Sequence, residues 1–291
     1  MLAQSLVLAT LLLASAGDPL AAASELTYHL EPGKTHTLRI TTSSRSRMES
    51  VEVEIEAVQT LTYRAEVLSR DDEGNQTLRL TLTHVRMEGP MADYDSSREK
   101  NHTFEAQPLV LGALVGKAFD ITLSSTGDLV AGDTLGAAIT EAADAILAEM
   151  PHMFQAIREI RGSMTPQGFL GEIGRCLPNL PGEMKATWTG KNLLMVPLYG
   201  PYEETRTLTL AGIPSGDDLS FSVTGKGSYQ KKGGLPFFKL LESSSSFRAE
   251  MRGGDLPASS RHEASLRLEM AFPGSEAEKT SIDMTTELVV D

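Results

Sequence analysis

The sequence predicts an α+β fold in which long, curved antiparallel β-meander sheets wrap around a central helical segment, giving a half-open, barrel-like shape. Three observations carry this. Segment 51–68, VEVEIEAVQTLTYRAEVL, alternates apolar and polar residues without a slip from Val51 to Val67, the period of a half-buried strand. Similar segments flank it and recur over 183–291, with Gly, Asn and Asp turns between them. Between the two β-rich blocks, residues 133–178 switch to helical spacing. A meander with one wet face must cover the other. The central helices are the long apolar segments free to do so, which places them on one side of the sheet.

The 291-residue chain opens with an apolar run over 6–16. That is the size of a signal-peptide core and shorter than the roughly 20 residues a membrane helix needs. Ala21-Ala22-Ala23 follows as a small-residue cleavage pattern. Residues 1–23 are therefore expected to be a signal peptide. Residues 24–291 are expected to form one exported domain, periplasmic or extracellular, with a β block at 25–131, a helical segment at 133–178 and a β block at 183–291.

In the first block, strands are expected over 25–30 and 35–43, with turns at 31–34 and 44–46. The long strand follows; at about 3.3 Å per residue it could reach roughly 55 Å. Glu52, Glu54 and Glu56 face water in this reading, and Leu61, Tyr63 and Val67 face the helices or whatever cavity they leave. Gln59 alone interrupts that inner face, so it must be paired, exposed or at a bend. After the turn at 71–75, Leu78, Leu80 and Leu82 alternate, but the parity slips at Thr83-His84 to Val85 and Met87. One extra residue, a β-bulge, accounts for such a slip. Residues 107–115 suit a short helix or a buried strand, and 119–123 with 129–130 form a hairpin.

In the middle, Leu135, Ala138, Ile139, Ala142, Ile146, Leu147 and Met150 recur at helical spacing. Asp133 or Thr134 can cap the helix start, and Pro151 ends or kinks it. Thr165-Pro166 reads as an N-cap followed by proline at the first helical position. Pro178 and Pro181 stop that helix. The second block offers strands over 185–188, 202–210, 219–228, 244–251, 259–272 and 280–290.

The net charge of −13 and the lack of any basic cluster larger than Lys231-Lys232 argue against a nucleic-acid partner, which demands a cationic footprint. The six histidines show no metal-ligand spacing, and neither a nucleophile elbow nor a phosphate-binding loop is present. Glu52, Glu54 and Glu56 would stand roughly 6–7 Å apart, and Asp71, Asp72, Glu73 and Asn75 have calcium-ligand chemistry. A solvated strand face and a hairpin turn explain them better. Tyr94-Asp95-Ser96 reads as a turn. Cys176, the single cysteine, forms no internal disulfide and reads as a small core residue. No catalytic residue, cofactor or metal is expected. The reading is a binding or scaffold protein, with a hydrophobic ligand facing Leu61, Tyr63, Val67, Phe154 and Trp188. The alternative is an envelope protein-interaction module using an exposed strand edge; a hydrolase is the weaker third reading.

The order of short motifs resembles a family of exported bacterial β-rich proteins known as a domain of unknown function. The resemblance rests on Tyr28-His29-Leu30-Glu31-Pro32-Gly33-Lys34, on Val85-Arg86-Met87 leading to Tyr94-Asp95-Ser96, and on Leu114-Val115-Gly116-Lys117-Ala118-Phe119 before Ser124-Ser125-Thr126-Gly127. Leu177-Pro178 and Trp188-Thr189 complete it. It covers about 26–290 and implies export and a β-rich fold, with no activity or catalytic residues to carry over. The chain departs from the family's pattern in lacking a lipid-bearing cysteine near the leader and a Gly-Asp pair before Trp188.

Overall fold

The computed structural model describes residues 25–291 apart from 91, 100, 104, 197–198, 216–219, 234–235, 272–273 and 275. The expected signal peptide lies outside the described residues. Among the described residues the fold is mostly β, a large antiparallel meander with four short α-helices. In the first block, β1 (Glu25–Leu26) precedes β2 (Thr35–Met48), β3 (Val53–Arg70), β4 (Gln76–Glu88), β5 (Ala92–Asp95) and β6 (His102–Thr103). Helix α1 (Ala106–Ala113) then leads to the hairpin β7 (Ala118–Leu123) and β8 (Leu129–Ala131). The helical segment contains α2 (Asp133–Glu149), α3 (Phe154–Ser163) and α4 (Pro166–Cys176), with a single 3-10 turn at Pro151–Met153. The second block runs β9 (Gly182–Glu183), β10 (Thr187–Val196), β11 (Gly200–Ser215), β12 (Ser220–Lys231), β13 (Phe238–Arg252), β14 (Ser259–Met270) and β15 (Glu278–Val290).

Thirteen strands form one sheet, ordered β10-β11-β12-β13-β14-β15-β2-β3-β4-β5-β6. The first half of β4 also pairs with β7, and β7 with β8. The chain's last strand zips onto its first long one, Ile282 opposite Ser46 and Leu288 opposite Ile40, so the two β blocks share a single sheet. Its outermost strands, β10 and β6, do not meet, and the sheet is not closed. It nevertheless bends strongly. Helix α4 touches β10 as well as β14 and β15. β10 and β15 are five steps apart in the strand order, about 24 Å in a flat sheet at roughly 4.8 Å per strand. A helix about 10–12 Å wide spans that gap only if the sheet curls around it. The curl also brings Leu194 and Val196 of β10 into one small core with Leu266 and Leu268 of β14 and Ile282 of β15. Beside that core, the Tyr199 hydroxyl donates to Thr280 Oγ1 at 3.3 Å.

Several sequence expectations meet their structural counterparts here. In β4 the buried side chains are Gln76, Leu78, Leu80 and Leu82, then Val85. The register jumps from Thr62 opposite His84 to Tyr63 opposite Leu82, so Thr83 is the bulged residue. The Thr165 hydroxyl accepts the Gly168 N–H at 3.1 Å and caps α4 as expected. The 107–115 segment forms helix α1, Ala106–Ala113, rather than a strand.

Other expectations need correction. The turn between β2 and β3 lies at 49–52, because the polar run Thr41–Arg47 is held in the ladder by β3 on one side and β15 on the other. Pairing on both edges overrides the weak hydrophobic signal. Gly132, rather than Asp133 or Thr134, occupies the N-cap of α2 without a side-chain bond; the Thr134 hydroxyl instead accepts from the Asp120 N–H at 3.3 Å. β10 continues eight residues past Trp188 to Val196, and β13 begins at Phe238 rather than at 244.

The segment after β1 straps the helix ends to the sheet. The buried Tyr28 hydroxyl donates to Pro178 O at 3.0 Å, and Gln76 brackets the strap, accepting from Leu30 N at 2.8 Å and donating to Tyr28 O at 3.0 Å. Gly127 makes this possible. Its φ is +99°, and a Cβ there would stand 2.8 Å from both Pro178 O and the Tyr28 ring.

Candidate functional site

The curled sheet, α1 and α4 enclose a cleft of about 240 Å³. Four elements supply its apolar walls. Leu61 comes from the inner face of β3, Leu111 from α1, Phe169 from α4, and Met195 and Val196 from the end of β10. Phe169 is fixed from behind by edge-on contacts to Tyr63 and Phe119, with ring centroids 6.1 and 5.5 Å away. Gly171 lets β10 approach α4 closely, since a Cβ there would lie 2.9 Å from Leu193 O.

The polar groups of the cleft are Gln59, Gln107, Glu172 and Arg175. Gln59, the one polar interruption of the long strand's inner face, is paired. Its Nε2 donates to both Glu172 carboxylate oxygens at 3.0 and 3.3 Å, and its Oε1 accepts from Gln107 Nε2 at 3.2 Å. Burial pushes the Glu172 carboxyl above its ordinary 4.5, against the opposing pull of Arg175's charge and the Gln59 hydrogen bond. Arg175, one turn further along α4, is 5% exposed.

Behind the end of α4 lies a second polar group that is fully closed. Glu204 and Arg206 both point inward from β11 and have no solvent exposure. His262 Nε2, from β14, meets Glu204 Oε1 at 3.0 Å and the Tyr229 hydroxyl at 3.2 Å. β11 and β14 are three strands apart, so this contact crosses the rolled interior. Facing a carboxylate, Nε2 carries the proton. Arg206 stacks over the Phe247 ring at 4.4 Å and donates to the carbonyls of Arg175 and Leu177 at 3.2 and 3.3 Å. Ser260 donates to the Cys176 carbonyl at 2.6 Å. The last carbonyls of α4 are thereby satisfied from the sheet. Burial holds the His262 imidazole below its ordinary value against the pull of Glu204. For Glu204, burial raises the carboxyl, but the His262 hydrogen bond and the Arg206 charge outweigh it, and the net shift is downward. Sealed from solvent, this network pins α4 to the rolled sheet.

Of the residues expected to face a ligand, Leu61 lines the cleft. Tyr63 is buried one layer behind it against Phe169, and Val67 is buried further along β3. Phe154 is 58% exposed at the start of α3, directly after the 3-10 turn at Pro151–Met153. Trp188 donates its indole N–H to Asn179 O and borders a separate surface depression with Thr126 and Leu180. Glu54 and Glu56 pair with Arg45 across the β2–β3 ladder. The Asp71 carboxylate accepts from Glu73 N, Asn75 N and the Asn75 side chain, closing its hairpin. Asp95 accepts from His84 Nε2 at 2.9 Å and from Ser97. Cys176 is buried, and burial pushes its thiol up to about 12, far from a reactive thiolate. Among the described residues no helix is long and apolar enough to cross a membrane.

No protein-family model and no curated protein matches the chain. Two of the solved structures that align with it do so over most of their length. One is DynF from the dynemicin biosynthesis pathway of Micromonospora chersina, at 8% identity, covering 91% of this chain and 85% of that one with a TM-score of 0.22. The other is Rv2717c from M. tuberculosis, at 10% identity, covering 84% of this chain and 89% of that one with a TM-score of 0.23. At these values both are distant neighbours of an antiparallel β-sheet protein.

Proposed function

We propose that the chain is an exported binding protein whose curled sheet acts as a half-open barrel around α4 and holds a hydrophobic ligand in the sheet–helix cleft. One observation carries this reading: a cleft walled by Leu61, Leu111, Phe169 and Met195, with a few convergent polar groups, has the composition of a small-molecule site. Its size, about 240 Å³, falls just under the roughly 300–1,000 Å³ of sites for drug-sized ligands, so the ligand is small or short-chained. Native mass spectrometry of protein purified from its own compartment tests the reading. A mass adduct is expected on the wild type and not on Met195→Trp, which fills the cleft. Bare protein in both preparations would count against it.

A second reading, a protein-interaction module, draws on the β2–β3 tip. Val51, Val53 and Ile55 are 57%, 44% and 44% exposed there, a cluster that soluble surfaces usually avoid when it has no partner. A photo-crosslinker at Ile55 in intact cells should then capture one discrete partner; recovery of uncoupled protein speaks for the ligand reading alone.

A further inference from the structure

Arg175 is nine-tenths buried at the cleft wall, and its Nε has no hydrogen-bond partner among the described residues. Removing a guanidinium from water is costly unless something replaces the lost hydrogen bonds. The two ordinary reasons for such a residue are already met by others. A cation near a helix C-terminus serves its last carbonyls, but Arg206 and Ser260 hold the carbonyls of Arg175, Cys176 and Leu177. A buried cation pairs with a carboxylate; Glu172 attracts the Arg175 charge, but Arg175 Nε hydrogen-bonds to no carboxylate among the described residues. Glu172 takes Gln59 Nε2 on both oxygens, and Glu204 takes His262 and stands 3.6 Å from Arg206 Nε.

We infer that the ligand of the cleft is an anionic amphiphile, its carboxylate or phosphate held by the Arg175 guanidinium and its hydrocarbon chain laid along Leu61, Leu111, Phe169 and Met195. This rests on the binding function proposed above and specifies the ligand's class. The guanidinium fork matches the two oxygens of a carboxylate or phosphate. An anion there replaces the hydration that burial removed, and the apolar walls exclude the water that would screen the pair. Glu172 shares the cleft without defeating this. Both its oxygens are held by Gln59 Nε2, and burial disfavours its charged form. Gln59 Oε1, the other acceptor of the cleft, is occupied by Gln107.

Calorimetric titration of the purified protein with octanoate, octyl phosphate and octanol tests the inference. These probes share one chain and differ in the headgroup. The wild type is expected to bind at least one anion about tenfold to hundredfold more tightly than octanol, the range for a hydrogen bond to a charged group. Whichever anion binds better identifies the headgroup. In Arg175→Gln the preference for the anion over octanol should vanish; Arg175→Lys, which keeps the charge but not the fork, should retain part of it. Equal affinity of the wild type for all three overturns the role of Arg175 and leaves the binding function standing. Binding of none of them overturns both. The wild-type comparison needs no variant, so a variant that fails to fold leaves the test intact.

Discussion

Two guanidiniums lie buried at the same end of α4, and the protein treats them differently. Arg206 enters from β11 and is met on every side, by Glu204, by the carbonyls of Arg175 and Leu177, and by the Phe247 ring. Arg175 points from the helix into the cleft wall, and its Nε meets no protein acceptor among the described residues. Both are buried, but only Arg206 makes side-chain hydrogen bonds to the fold that hold its position. On the proposed function, the difference separates a region built for stability from one open to a ligand. It predicts that equal substitutions in the two places give unequal results.

The largest effect belongs to the closed network. Arg206→Met leaves Glu204 buried without its cation and the carbonyls of Arg175 and Leu177 without these donors, a loss of about 3–5 kcal/mol. Urea denaturation followed by far-ultraviolet circular dichroism measures it. A loss under about 1 kcal/mol would mean that the network does not pin α4, and the contrast with Arg175 would collapse. A smaller effect is expected where the helix meets the cleft wall. Gly171→Ala places a methyl group 2.9 Å from Leu193 O. Overpacking of this kind costs about 1–3 kcal/mol, and the displaced β10 should also alter octanol affinity.

Acid sharpens the comparison because the two regions answer it with opposite signs. The folded His262 imidazole titrates below its ordinary 6.5. Its contribution to stability is complete above that pH and is lost as the pH falls below it, where the unfolded chain takes up the proton first. Glu204, lowered from 4.5, adds a further loss on acidification below that value. Glu172 is raised from 4.5; the folded chain takes up this proton first, so its penalty grows as the pH rises past 4.5 and fades in acid. Denaturation midpoints between the two ordinary values should therefore fall with acid in the wild type less steeply than in Glu172→Gln, which removes the compensating group. His262→Gln should flatten the slope. A steeper slope in His262→Gln would reverse the assignment.

Much of this was legible in the sequence, and the gaps have physical causes. The inner face of β3 and the single interruption at Gln59 could be read because one face of that strand is wet, which keeps the alternation clean. Leu61 followed from it. The bulge at Thr83 was visible as a parity slip, and the α4 cap as Thr165-Pro166. The opposite wall was not. Leu193 to Val196 is a continuous apolar run, because that part of β10 serves the cleft with Met195 and the second core with Leu194 and Val196. A strand with two apolar surroundings loses its period. The buried network did leave a signal. Tyr202, Glu204, Arg206 and Leu208 share one parity of β11, and all four are buried. Opposite charges on a face that begins and ends with apolar side chains mark an inner face with a built-in ion pair. Arg175 left none, because beside Ile173 and Cys176 it looks like the polar edge of an amphipathic helix. Only the curl of the sheet, which no local pattern encodes, brings that edge indoors.

The smallest predicted effect bears most directly on the comparison. Arg175→Met removes a buried charge whose Nε makes no hydrogen bond among the described residues and puts in its place a flexible apolar chain of comparable length. Replacing poorly compensated buried charges with apolar groups is often neutral or stabilising, so the change in stability should lie between zero and a gain of about 2 kcal/mol. That is the opposite sign to Arg206→Met. Differential scanning calorimetry of the ligand-free protein reads it directly. Preference for octanoate or octyl phosphate over octanol should disappear in the same variant. On the proposed function, Arg175 weakens the empty fold and strengthens the loaded one. A clear loss of stability in the ligand-free Arg175→Met protein would instead give Arg175 the same structural role as Arg206, and the two regions would differ in degree only.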